Sequence, residues 1–397
     1  MQKVYYKNFI LPVSLLSGAI IGAGIFSLPF VFQLSGLGAG FFYLGLAAIV
    51  YVFAHLMYGD LILRTKGEHR FVGYVKIYFG EKFFWPAVLM AVAQMILVLT
   101  IYLILSKSFS DLIVGYGSSF EKVLIFWFLG SLAIFLTLRR LALLEFLMTG
   151  GIVVIIALIF LFGLKDVLNI SAVDFIPRAS NILVPLAPIL FALSGRVAIP
   201  SVIDFFYKKF PPEDSSLIAD QISPKSVLKI KKVIVWGTIL PAVVYGLFVL
   251  GIVALSSVVS PDSVTGLISQ MPKSVLWILG VLGILSLFSS YIIVGADINN
   301  VLNFDFKLPP WIRALIVVGG PILFYWVGSR DFISLVSFTG GVFLALEGIF
   351  IILMWFRANK ISSAPPVLLK RINLSALSFL ILIFAAALVY EISNVIR

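Results

Sequence analysis

The chain reads as an all-α integral membrane protein with 11 transmembrane helices, the first ten forming two inverted five-helix units. Three observations lead there. The 397 residues are 61% hydrophobic and only 12% charged, with a mean hydropathy of +1.13, more apolar than soluble domains of this size. Apolar runs of about 20 residues, enough to cross a bilayer as helix, recur along the whole length. Two of these runs are interrupted alike, by GIFSLP at Gly24–Pro29 and GRVAIP at Gly195–Pro200.

The runs predict spans at 9–32, 38–63, 84–106, 121–138, 141–163, 182–207, 231–255, 275–301, 311–328, 332–356 and 374–396. Span one is too long for a signal-peptide core, carries Gly and Pro at its middle, and is followed directly by another span, so it is expected to stay. Its glycines add backbone freedom and its proline removes an N–H, which weakens a helix in mid-membrane. Freed backbone groups cannot face lipid and must line a cavity or be buried in protein. Span six carries the matching interruption, and paired interruptions in two halves point to a transporter's binding site.

After span two, the aromatic and basic residues of Phe71–Gly80 predict a short interfacial helix. Span five carries Thr149-Gly150-Gly151 and span ten Thr339-Gly340-Gly341. Together with the Gly/Pro pair they predict an internal repeat. Repeat one covers 9–163 and repeat two 182–356, and the longer loop from Lys208 to Lys232 accounts for the change of offset. Five spans per unit is odd, so the copies must sit inverted. Span eleven, 374–396, stands outside the repeat, and residues 1–397 form one transporter domain. Pro-Pro pairs at 309–310 and 365–366 mark turns.

The formal net charge of +11 is a matter of topology. With the N-terminus inside, 21 Lys and Arg fall in cytoplasmic segments and seven outside, leaving Arg196 within a span. That split predicts a plasma (inner) membrane protein with a cytoplasmic N-terminus and an external C-terminus. It removes the case for nucleic acid. With no cysteine there is no thiolate metal site or thiol nucleophile, and the two histidines, His55 and His69, make a poor metal site. No Walker A sequence implies ATP-driven pumping. Tyr58-Gly59-Asp60 and Gly295-Ala296-Asp297 faintly suggest paired protease aspartates, but their surroundings do not match, so no enzyme is expected.

The candidate site lies in the interruptions. N–H groups at Gly22, Ala23 and Gly24 would open a half-helix whose positive end suits a carboxylate. The carbonyls near Gly18 to Ile21 would suit an ammonium or a small cation. Together they suit a zwitterion. The alternative, that these glycines only permit close helix packing, is outweighed by the matched break in span six. On this reading Gly22→Val or Gly24→Val abolishes uptake and leaves the protein folded. Arg196 is expensive at that depth. It either binds a substrate carboxylate or pairs with an intramembrane acid, Glu145 or Glu347. Asp297 is deep enough to carry protons, whereas Asp60 and Asp204 are expected to be solvated at span ends. Gln94, central in span three, faces either the pocket or another helix.

GAIIGAGIFSLPF at 18–30, FALSGRVAIPSV at 191–202 and GTILPAVVYGLFVLGIVAL at 237–255 resemble the aromatic and hydroxy amino acid permeases and the amino acid/auxin permease family. Both belong to the amino acid–polyamine–organocation superfamily. The resemblance implies a LeuT-like 5+5 inverted-repeat fold with discontinuous helices 1 and 6. It implies that substrate carboxylate and amino groups meet backbone at Ile20, Gly22, Ala23, Gly24, Phe191, Ala192 and Ser194, around Gly195, with Phe191 as an aromatic lid. A coupling sodium would take carbonyls from Gly18 and Ile21 and hydroxyls from Ser289 and Ser290, which otherwise hydrogen-bond to their own helix. Arg196 departs from the relatives, which put a small, aromatic or histidine residue there, and a fixed cation favours proton or exchange coupling. The function implied is secondary amino acid symport by alternating access, for neutral, hydrophobic or aromatic substrates, coupled to H+ or Na+. No other cofactor and no obligate protein partner is expected beside the amino acid and the bilayer. The competing reading is a membrane receptor subunit that keeps the permease fold without transporting.

Overall fold

The computed structural model describes residues 9–67, 69–135, 141–206, 223–256, 258–304, 306–328, 331–361, 365–370 and 372–396. The side chains of 141–149, 152 and 304 lie outside that description. Among the described residues the fold is helical throughout. Eight helices are long and apolar enough to cross a membrane, or nine if one bent pair counts as a span. The protein is an integral membrane protein.

The first interrupted span is α1 (Leu11–Ile20) and α2 (Leu28–Ser35), joined by a tight turn at Ala23–Ser27. Then come α3 (Leu37–Arg64), α4 (Phe71–Phe79), α5 (Glu81–Ile113), α6 (Ser119–Ile134) and α7 (Leu141–Val167). The second interrupted span is α8 (Leu186–Leu193) and α9 (Ile199–Asp204). It is followed by α10 (Pro224–Leu255) and α11 (Lys273–Phe304). A π-helical turn at Leu315–Gly319 joins α12 (Pro310–Ala314) to α13 (Gly320–Val327), and another at Thr339–Leu344 joins α14 (Phe332–Phe338) to α15 (Ala345–Ile361). The last helix is α16 (Leu374–Ile396).

Local chemistry sets the joints. Gly36 separates α2 from α3 with a φ of +86°, a conformation that side-chain-bearing residues rarely adopt. A Cβ there would also lie 2.2 Å from the Ile176 carbonyl oxygen. Ser118 opens α6 with a reciprocal capping box to Glu121. Pro241 sits inside α10 and has no N–H for the Gly237 carbonyl one turn back. The Ser17 hydroxyl of α1 donates to that carbonyl at 3.2 Å, so the freed group is satisfied by a neighbouring helix.

The core forms where α10 packs along α1, α3 and α7, and α11 along α5 and α7. α4 is no simple surface helix: Phe71, Val72, Tyr74, Val75 and Tyr78 are buried against α5 and α15. The two Thr-Gly-Gly sequences do unlike jobs. A Cβ on Gly340 would fall 2.1 Å from the Ala187 carbonyl oxygen of α8, whereas one on Gly150 would meet nothing within 4 Å.

Asp60 overturns the expectation of a solvated acid. It is fully buried and accepts from Arg64 Nη1 at 3.1 Å and Trp355 Nε1 at 2.8 Å. The backbone N–H groups of Val367 and Leu368 add bonds of 2.6 and 2.8 Å. A buried carboxylate is tolerated only with such a set of donors, and these come from segments far away in sequence. Asp204, by contrast, is exposed.

Candidate functional site

Span one is broken where two residues leave the helix. α1 ends at Ile20, Ile21 turns to ψ 92°, Gly22 is extended, and the direction changes by 47°. Span six breaks likewise at Ser194 and Gly195, beyond which Arg196–Ala198 form a turn leading into α9. Pro29 and Pro200 stand in the first turn of the restarted helices. A missing N–H costs nothing there, because that donor has no acceptor within the helix. So the prolines restart the helices, and the glycine neighbourhoods make the breaks.

The breaks meet at Gly24. A Cβ on Gly24 would lie 2.6 Å from Ala192 Cα and 2.9 Å from Phe191 Cδ1. Gly195 is also crowded, since its Cβ would come 2.4 Å from Ile20 Cγ1. Gly22 has room, with the Tyr102 hydroxyl 3.9 Å away as the nearest atom. This corrects the expectation that Gly24→Val leaves the protein folded. At Gly24 close helix packing is the reason for glycine, and only Gly22 is open to a ligand-directed test.

Tyr245 of α10 places its hydroxyl between the two breaks. It donates toward the Ile20 carbonyl at 2.7 Å and the Ala192 carbonyl at 2.9 Å, and hydrogen-bonds to the Gly22 backbone. A hydroxyl has one hydrogen, so the two carbonyls share it. Backbone acceptors that their own helices leave over are thus gathered within reach of one polar group. Tyr51 of α3 adds a third link, donating to the Leu190 carbonyl at 2.7 Å.

A second cluster lies beyond the span-six break. Arg196 Nε approaches Glu347 Oε1 of α15 to 2.9 Å, and both residues are buried. The Nε–H is not aimed at that oxygen, and Glu347 Oε2 has no hydrogen-bond partner among the described residues. The contact is a charge pair with poor hydrogen-bond geometry. The guanidinium also lies over the Phe71 ring at 4.8 Å and the Tyr58 ring at 5.7 Å, contacts that favour a desolvated cation. Asp297, Arg70, Tyr58 and Arg196 line a cavity of about 20 Å³, room for about one water. A larger groove of about 520 Å³ between α3 and α10 is lined by apolar residues such as Leu44, Ile49, Ile239 and Val243, with nothing to hold a zwitterion.

The structure therefore brings Ile20, Gly22, Gly24, Phe191, Ala192 and Tyr245 together, and gathers Arg196, Glu347 and Asp297 nearby. Ala23 is buried in the turn, Ser194 is partly buried at the second break, and Gly18 and Ile21 stay at the end of α1. Ser290 hydrogen-bonds to the Tyr102 hydroxyl on α5, while Ser289 is buried. Gln94 is buried and its Oε1 has no partner among the described residues. Glu145 lies outside the described side chains. Sequence reasoning missed Tyr245, Tyr102 and His55. The available signal was position: a tyrosine or histidine at mid-span, away from the interfaces, needs a polar partner inside the protein.

No family model and no curated protein sequence matches this chain. Solved structures match its fold. The Eremococcus coleocola manganese transporter, in complex with an aromatic bis-isothiourea substituted compound, aligns with a TM-score of 0.64 at 14% identity, over 96% of this chain and 85% of that one. MhsT in complex with L-phenylalanine aligns with a TM-score of 0.56 at 16% identity, over 96% of this chain and 97% of that one. The chain thus has the fold of these membrane transporters.

Proposed function

We propose that the protein is a secondary amino acid transporter of the amino acid–polyamine–organocation superfamily. In this reading 11 spans form a 5+5 inverted repeat with the N-terminus cytoplasmic, and the two breaks bind a zwitterion. The observation that carries it is the close approach of the span-one turn at Gly24 to Ala192, in the last turn of α8 before the span-six break, with the Tyr245 hydroxyl bridging the Ile20 and Ala192 carbonyls. Carbonyls at the end of α1 and in α8 offer acceptors to an ammonium group, and the turns that follow offer N–H donors to a carboxylate. The pairing of Arg196 with Glu347 already balances the guanidinium charge and supports a neutral side chain. The apolar wall of Ile20, Ala23 and Phe191 supports a hydrophobic or aromatic one. MhsT is crystallised with L-phenylalanine, which agrees with that class. The manganese transporter suggests a divalent metal instead. Among the described residues, however, no three His, Cys, Asp or Glu side chains converge on one point, so the amino acid is the better fit.

A thermal-shift screen of the 20 amino acids tests the reading. A ligand at 100 times its Kd adds about 2.7 kcal/mol of stability. Uptake of each hit into proteoliposomes then separates transport from reception. Stabilisation without uptake under any ion gradient identifies a receptor that keeps the fold.

A further inference from the structure

His55, in the middle of α3, is almost fully buried, and its ring nitrogens have unlike surroundings. Nδ1 lies 2.9 Å from Thr238 Oγ1 on α10. The Thr238 hydroxyl gives its single hydrogen to the Ile234 carbonyl at 2.8 Å, so toward His55 it can only accept. Nδ1 must then carry the ring hydrogen, which leaves Nε2 as a bare lone pair. Nε2 is buried and has no hydrogen-bond partner among the described residues. It is closed even to a water-sized visitor, so the ligand that fits without a cavity is a proton.

The ring stands where the two breaks cross. Its Cε1 lies 3.3 Å from the position of a Cβ on Gly195, and Ile20 Cγ1 lies 2.4 Å from the same position. A motion that shifts Gly195 at the span-six break therefore changes the packing at this edge of the ring. The charged and titratable groups around it come from several elements. Arg196, next to Gly195, acts on the ring from span six. Glu347 of α15 pairs with Arg196 and lies within electrostatic reach of Tyr51. Tyr51, on the same helix as His55, has its ring 5.3 Å away. From α10 the facing group is the Thr238 hydroxyl, and from α16 Phe384 packs edge-on against Tyr51.

We propose that His55 Nε2 is the proton-binding atom of coupled transport, taking up one proton as the breaks open on one side of the membrane and releasing it on the other. Arg196 and Glu347 together are neutral, so an imidazolium beside them adds one uncompensated positive charge. The carboxylate end of a zwitterion bound with that end toward the ring offsets the charge locally, so substrate and proton each strengthen the binding of the other, which is the reciprocity that symport requires. The proposal rests on the transporter reading and names its coupling site.

Two measurements test it. With one proton per substrate, a gradient of one pH unit sustains about tenfold accumulation of radiolabelled leucine or phenylalanine in proteoliposomes, with sodium replaced by choline. The His55→Gln protein, with no titratable ring, should lose that accumulation entirely, whereas His69→Gln, outside the spans, should keep it. Tenfold accumulation by His55→Gln, or strict sodium dependence of the wild type, overturns the proposal. The second measurement needs no substrate. The His69→Gln protein labelled with ¹⁵N-histidine has one imidazole, whose nitrogen shifts in nanodiscs report where hydrogen sits. A hydrogen on Nδ1, with a bare Nε2 that gains one on acidification, upholds the site. A hydrogen on Nε2 at neutral pH, or an Nε2 that stays bare until the protein unfolds, removes it. If the wild type moves no amino acid under any gradient, the transporter reading fails, and the nitrogen shifts still decide whether His55 binds a proton.

Discussion

The hydroxyl of Tyr245 lies 2.7 Å from the carbonyl oxygen of Ile20, the last residue of the first half-helix, and reaches Ala192 O of the second interrupted span at 2.9 Å. Phenylalanine keeps the ring and deletes the link. Tyr245→Phe takes away the one donor that two buried carbonyls share, at a cost of about 1–3 kcal/mol. The melting temperature should fall while the protein still folds, and amino acid binding should weaken more than tenfold. Unchanged melting and unchanged affinity would mean that the bridge is incidental.

Gly22 and Gly24 should behave differently. Gly24→Ala puts a methyl 2.6 Å from Ala192 Cα, where backbone must move, so monodisperse protein should be lost on size-exclusion chromatography. Gly22→Ala meets nothing closer than 3.9 Å and should fold with a near wild-type melting temperature. Its methyl projects where a ligand would approach backbone, so the readout is affinity. Equal folding yields for the two variants would remove the distinction.

Arg196 and Glu347 form a buried pair, and removing one member strands the other at a cost of about 3–5 kcal/mol. Glu347→Gln and Arg196→Met should each depress expression and melting. The double substitution should recover much of the loss, because no charge is then left buried without its counter-charge. A double-mutant cycle of thermal stabilities reads the coupling directly. Additive losses would sink the pair as a structural unit.

Asp60 ties α3 to Trp355 of α15 and to the chain at Val367–Leu368. Asp60→Ala leaves a guanidinium, an indole N–H and two backbone N–H groups without their acceptor. The loss should match that of a broken buried pair, about 3–5 kcal/mol, and chemical denaturation measures it. Exposed Asp204 serves as the control, and Asp204→Ala should change little.

Asp262, in the loop between α10 and α11, sets a pH dependence. Burial opposes its charge, but hydrogen bonds from Ser108, Ser260 and Thr265 outweigh that and hold its carboxyl below the ordinary value of 3.8. A depressed carboxylate contributes stability that is complete above that ordinary value and is lost as the pH falls through the lower folded-state value. Acid should therefore loosen this loop first, as amide hydrogen exchange at 258–267 would report. Asp262→Asn should be looser already at neutral pH and insensitive to acid.

Much of the architecture is legible in the residues themselves. Composition and run length set the helices and the membrane, because a bilayer demands long apolar segments whose backbone bonds are made internally. The paired interruptions at Gly24–Pro29 and Gly195–Pro200 were visible for the same reason: unwound backbone at that depth is too costly to arise without cause. Tertiary structure alone decided the partners. Nothing local told that Arg196 meets Glu347, since the two are brought together from distant segments. Likewise Asp60 looks like an ordinary span-end acid until Trp355 and the Val367–Leu368 backbone are folded onto it. Gly24 serves packing while Gly22 stays open, a difference set by where Ala192 falls after folding. Periodicity and hydropathy report what each segment needs from its solvent. Which polar group answers which is a matter of distances across the fold, and those exist only once the helices have packed.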